Sequence, residues 1–149
     1  MRGITKQEAD ERIRYLEQYK SAEFEIDELL DRATRLRARA ERITPPYGSD
    51  GGSSPMPNID KIPALVELII EEEERTSHRV KELMELQKEI QAVISKVPDE
   101  TCRALLIMRY IGGKSFEQIA VTMNYSHWYL THTIHQKALE KVKIPPKTT

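Results

Sequence analysis

Residues 103–142 read RALLIMRYIGGKSFEQIAVTMNYSHWYLTHTIHQKALEKV, and this stretch decides the fold. Pro98 and Asp99 stand just ahead of it, and Asp99 suits a helix N-cap. Cys102, Leu105, Leu106 and Tyr110 recur at helical spacing, which predicts a short helix ending near Ile111. Gly112-Gly113 stops it, since glycine is the preferred residue just past a helix end. Ser115-Phe116-Glu117-Gln118 is a capping box that opens a brief second helix, Phe116 to Met123. Asn124 suits the left-handed conformation needed to leave that helix. Ser126 then caps a final helix running to about Val142.

Two helices joined by a tight turn behind a supporting helix form a helix-turn-helix unit. Ala120 lies where the two helices press together and a small side chain is required. Ile119, Met123 and Leu130 fall at inward positions, and Tyr125 is read as core. The final helix, residues 126–142, is then the recognition helix. It presents Ser126, His127, Trp128, Thr131, His132 and His135 outward, toward base edges in a major groove. Lys114, Lys137, Lys141 and Lys143 are candidates for phosphate contact. So are the backbone N–H groups at the helix starts marked by Ser115 and Ser126.

This arrangement resembles the DNA-reading C-terminal domain of bacterial sigma factors. It is more closely similar to phage-encoded regulators of the ArpU and RinA type, which place such a domain after a charged helical region. The residues that carry the resemblance are Leu106, Arg109-Tyr110, Gly113-Lys114-Ser115, Glu117, Ile119-Ala120, Met123, Tyr125-Ser126, Ile134, His135 and Ala138-Leu139. It implies a phage or prophage transcription regulator that binds double-stranded DNA without a nucleotide or metal cofactor. One departure stands out. The pattern expects an apolar residue three after Leu130, yet that position is Thr133 and the apolar residue is Ile134. The recognition helix thus carries one residue more between its N-cap and Ala138-Leu139. The outward register after Leu130 is left open by the residues themselves.

Upstream the chain has a different character. From Lys6 to Ile43 there is no Gly or Pro, and Ile26, Leu29, Ala33, Leu36, Ala40 and Ile43 keep heptad-like steps. Thr5 and Glu8 make a capping box at its start. A second periodic segment has Ile62, Ile69, Thr76, Leu83, Ile90 and Val97 seven apart, with Asp60 as its N-cap and Pro98 as its stop. Between them, residues 44–60 are rich in Pro, Gly and Ser and read as a flexible loop. The expected fold is all-α: a long antiparallel helical hairpin over residues 1–97, followed by a small helix-turn-helix domain over 98–149. The polar run Glu71 to Thr76 reads as a solvated face.

Charge sharpens this division. The 149 residues hold 23 Lys and Arg against 24 Asp and Glu. Residues 1–97 hold 16 against 20, and residues 98–149 hold 7 against 4, so a mildly basic third follows an acidic remainder. A basic segment is expected to meet an anionic partner. The narrow apolar stripe of the hairpin suggests a homo-oligomer, and its acidic surface suits contact with RNA polymerase.

Other classes are disfavoured. One cysteine, Cys102, excludes a disulfide framework or a cysteine-rich zinc site. His132 and His135 lie three apart, but no third ligand accompanies them, so no metal site is expected. No apolar run approaches the ~20 residues that span a bilayer, and the first residues lack a signal-peptide pattern, so a cytoplasmic location is expected. No phosphate-loop or nucleophile constellation points to an enzyme. Two alternatives share these features. One is a DNA-packaging protein similar to a small terminase subunit, although those usually place the helix-turn-helix first. The other is a helical adaptor that never touches DNA.

Overall fold

The computed structural model describes residues 3–43 and 62–146. The loop expected at 44–60, and with it the Asp60 cap, lies outside the described residues. Among the described residues the chain is all helical, with no strand. Helix α1 spans Lys6–Ile43 and α2 spans Ile62–Ser95. Helix α3, Glu100–Leu106, continues into a π-helical turn, Ile107–Ile111. Helix α4 is Phe116–Met123. Helix α5, His127–Tyr129, runs through a second π-helical turn, Leu130–Ile134, into α6, His135–Glu140.

The ends of these helices follow their sequence. At α1, the Glu8 N–H donates to Thr5 Oγ1 (3.1 Å), and the Thr5 hydroxyl donates to Glu8 Oε1 (3.1 Å). The Asp99 carboxylate accepts from the Cys102 N–H at 3.0 Å, and this bond holds its carboxyl below the usual carboxylate range. Both bonds of the Ser115–Gln118 capping box are formed. Asn124 adopts φ 62° and ψ 39°, and the Tyr125 N–H reaches back to the Ala120 carbonyl at 3.0 Å. Asparagine is among the residues that tolerate this left-handed geometry.

The chain divides into two compact units: residues 1–23 with 84–149, and residues 24–83. In the first unit the start of α1 and the end of α2 run antiparallel. The Tyr15 hydroxyl donates to Glu89 Oε2 at 2.6 Å, and the Gln91 side-chain amide donates to the Tyr19 hydroxyl at 3.1 Å. Burial and the Glu89 bond both push the Tyr15 phenol above its ordinary range. Leu16, Ile90, Ile94 and Val97 then share one hydrophobic core with Leu105, Leu106, Ile119, Leu130, Leu139 and Val142. The core therefore runs across Pro98. Arg12 ties the two ends of the sequence together. Its guanidinium donates to the Leu139 carbonyl at 2.7 Å and the Glu140 carbonyl at 3.2 Å, at the end of α6.

The second unit pairs residues 24–43 of α1 with residues 62–83 of α2. Among its described residues, only Ile26, Thr76 and Leu83 are buried. Arg79 grips both carboxylate oxygens of Glu25 (3.2 and 3.1 Å), and Arg32 meets Glu72 at 3.1 Å. Arg37 approaches Glu73 at 3.9 Å. The polar run of α2 is thus only partly a solvated face. Glu72 and Glu73 are half-buried against arginines of α1, and Thr76 is buried. A heptad pattern encodes their polarity but not the arginines opposite.

Candidate nucleic-acid interface

The first unit carries every residue expected to contact a nucleic acid. Helix α4 leaves through left-handed Asn124, and α5 starts three residues after it, at His127. The Ser126 hydroxyl oxygen accepts from the Tyr129 N–H at 3.1 Å and fixes the start of that helix. Ser115 does the same for α4 with the Gln118 N–H at 3.2 Å. Both serine oxygens are therefore spent on capping, and the Gln118 and Tyr129 N–H groups with them.

Just ahead of α4, the loop Gly112 to Lys114 is shaped by close approach. A Cβ on Gly112 would lie 2.9 Å from the Met108 carbonyl oxygen, so only glycine fits. Gly113 has φ +71°, in the region that favours glycine. Arg109 secures this loop. It donates to the Lys114 carbonyl at 3.1 Å and lies 4.3 Å over the ring of Phe116. Lys114 itself is exposed, and so is Lys137 on α6.

The first turn after Asn124 presents an unusual amount of aromatic surface. Trp128 is 65% exposed and stacks on His132, with ring centroids 4.7 Å apart and planes 13° apart. Tyr125 and Tyr129 form a second ring pair at 5.4 Å. Tyr125 is not core as its motif position suggests: it is 37% exposed. His127 is exposed and faces Glu117 of α4, with Nε2 3.7 Å from Oε1. Thr131 is half-buried, and its hydroxyl donates to the His127 carbonyl at 2.9 Å.

His135 requires a correction. It was expected outward beside Trp128 and His132, but it is 7% exposed. Its Nε2 is joined to the Tyr110 hydroxyl by a 2.7 Å hydrogen bond, and Phe116 packs edge-on against its ring at 5.0 Å. Burial, aided by the nearby Arg109 charge, pulls its pKa down to about 4, so the ring is neutral near pH 7. Burial likewise pushes the Tyr110 phenol above its ordinary range. The cause of the inward turn is the π-helical segment. The His135 N–H bonds to the Leu130 carbonyl five residues back, one residue more than an α-helix allows. That turn absorbs the extra residue noted between Leu130 and Ala138. Leu130, Ile134, His135, Ala138 and Leu139 then all reach the core.

The candidate surface is therefore smaller than the sequence suggests. Ser126, His127, Trp128 and His132 are exposed around the start of the helix, with Lys114 and Lys137 as exposed cations of the same unit. Among the described residues, no group of three or more His, Cys, Asp or Glu is placed to hold a metal ion. Glu117 and Arg109 enter the sequence reading only as residues that carry the resemblance; the structure adds that Glu117 faces His127 across the turn and that Arg109 braces the loop before α4.

The family described as protein of unknown function (DUF1492) matches residues 58–142, more than half of the chain. The chain belongs to this family. The DUF1492 match takes in all of α2, α3, α4, α5 and α6, and it ends on Val142, the last buried residue of the core. Every candidate contact residue except Lys143 lies within it. No curated protein and no solved structure matches the chain.

Proposed function

We propose that this member of the DUF1492 family is a sequence-specific, non-enzymatic DNA-binding protein of the cytoplasm. It regulates transcription of phage or prophage genes in the manner of the ArpU- and RinA-type regulators it resembles. The observation that carries this reading is the exposed first turn of α5. It follows a three-residue turn and offers Ser126, His127, Trp128 and His132, all exposed, in the unit that also holds the exposed Lys114 and Lys137. Helix α5 and the turn after it enter the major groove, where such side chains read base edges. Lys114, Lys137 and the N–H groups at the two helix starts meet phosphates, which position the protein without reading sequence.

Self-association accompanies this role. The second unit buries few side chains, while Leu30, Leu65, Leu68 and Ile70 are exposed. A second copy covering them would supply the two-fold symmetry that paired half-sites require. RNA polymerase is the further partner proposed for the charged helices.

The test is retention of duplex DNA by the full chain. Fragments from upstream of neighbouring genes are expected to be retarded more strongly than unrelated ones, with affinity falling steeply as salt rises. Absence of retardation of every fragment at low salt would remove this reading. Retention of unrelated fragments with equal strength would remove its sequence specificity.

A further inference from the structure

The hydrogen bonding of His132 fixes which of its nitrogens carries the proton. Nδ1 lies 2.9 Å from the Trp128 carbonyl oxygen and 3.0 Å from Thr131 Oγ1. A carbonyl oxygen only accepts, so Nδ1 must donate. The Thr131 hydroxyl spends its own proton on the His127 carbonyl, which leaves its oxygen free to accept as well. In the neutral ring the second nitrogen, Nε2, is then an acceptor. It sits across the ring from Nδ1, directed away from the helix backbone, and makes no hydrogen bond among the described residues.

The neighbour of this acceptor is apolar. The Trp128 ring lies almost parallel to the His132 ring, so the stack holds both side chains in place. Residues 126–132 contain no Arg, Lys, Asn or Gln, the side chains that most often bracket guanine or adenine. What this turn offers is an acceptor beside an aromatic plate. In the major groove an acceptor is matched by an exocyclic amino group, and an apolar surface by the thymine methyl. The A·T pair is the one that carries both.

We infer that Trp128 and His132 read an A·T base pair, the indole against the thymine C5-methyl and His132 Nε2 accepting from the adenine N6 amino group. This inference rests on the duplex-DNA reading above and names the base chemistry of that same site. The two residues determine specificity, while the lysines supply affinity without regard to sequence.

The experiment uses the full chain and duplexes recovered by repeated selection from a random pool. At each A·T pair of the recovered site, thymine is replaced by uracil, which lacks the methyl, or adenine by purine, which lacks the amino group. At one pair per half-site, each replacement is expected to weaken binding about fivefold. Trp128→Ala abolishes the uracil effect, and His132→Ala abolishes the purine effect, with salt-dependent binding retained in both. Trp128→Phe keeps an apolar plate and so keeps the uracil effect. Duplexes bound with no sensitivity to either replacement would overturn this inference and leave DNA binding standing, as would equal sensitivity in the alanine variants. A chain that retains no duplex would overturn both.

Discussion

Tyr110 and His135, twenty-five residues apart, are joined by a buried hydrogen bond of 2.7 Å. Each belongs to or adjoins a π-helical turn. Tyr110 lies within Ile107–Ile111, and His135 closes Leu130–Ile134. Two irregular turns are thus pinned together at the centre of the core, behind the exposed face of α5. The bond satisfies a polar ring that would otherwise be stranded among apolar side chains.

The depressed pKa of His135 gives stability a defined pH dependence. The folded chain keeps the ring neutral down to about pH 4, whereas the unfolded chain protonates it near 6.5. Between those values the unfolded state binds more protons, so stability falls as pH falls. The contribution is fully present above 6.5 and is lost by about pH 4, amounting to about 3 kcal/mol. Urea unfolding of the wild type and of His135→Leu at pH 7.5, 5.5 and 4 checks this. The wild type should lose more over that range than the variant. Equal slopes would show that His135 titrates normally.

Tyr110→Phe removes the hydroxyl and leaves the His135 ring nitrogen unpaired in the core. A loss of about 1–3 kcal/mol is expected, by the cost of an unsatisfied buried polar group. The same substitution at the exposed Tyr129 should change the unfolding midpoint little.

Gly112 meets the Met108 carbonyl, and backbone cannot step aside as a flexible side chain can. Gly112→Ala is therefore expected to lower stability by about 1–3 kcal/mol, the range of overpacked sites. Thermal melting followed by circular dichroism reads this directly. A melting temperature equal to that of the wild type would show that the loop relaxes without strain.

The core that crosses Pro98 predicts how fragments behave. Peptides 1–97 and 98–149 each hold only part of a shared set of apolar side chains. Neither should show the cooperative melting of the first unit. A sharp transition in 98–149 alone would mean that Leu16, Ile90 and Ile94 are dispensable to it.

Lys114 and Lys137 are expected to act on phosphates. Replacing either by Ala should weaken binding of all duplexes alike and reduce the log–log salt slope by about 0.9. A loss confined to one sequence would instead assign that lysine to a base.

Local signals in the sequence were read correctly because their causes are local. Thr5 with Glu8, Asp99, Ser115 with Gln118, Asn124 and Ser126 all act within three or four residues of themselves. The all-helical fold followed from them and from the apolar periodicity. His135 was misplaced because a constant helical period sets 128, 132 and 135 on one face. The clue lay in the surplus residue before Ala138, but a π-helical turn depends on distant packing, here Tyr110 and Phe116, which no local pattern encodes. Tyr125 and the Glu72–Arg32 pairing were hidden for the same reason. The tautomer of His132 was out of reach altogether, since it rests on a carbonyl one helical turn back.

Arg12 binding the Leu139 carbonyl also bears on synthesis. Ala9 and Leu16 occupy a core whose other members extend to Val142, so the early helix has no complete partner until nearly the whole chain has been made. Residues 24–43 and 62–83 are paired with each other by Arg79–Glu25 and Arg32–Glu72 and not with the chain ends. On the ribosome the middle of the polypeptide is thus free to associate first, and the two ends close last. The exposed turn after Asn124 acquires its rigid backing only at that final step.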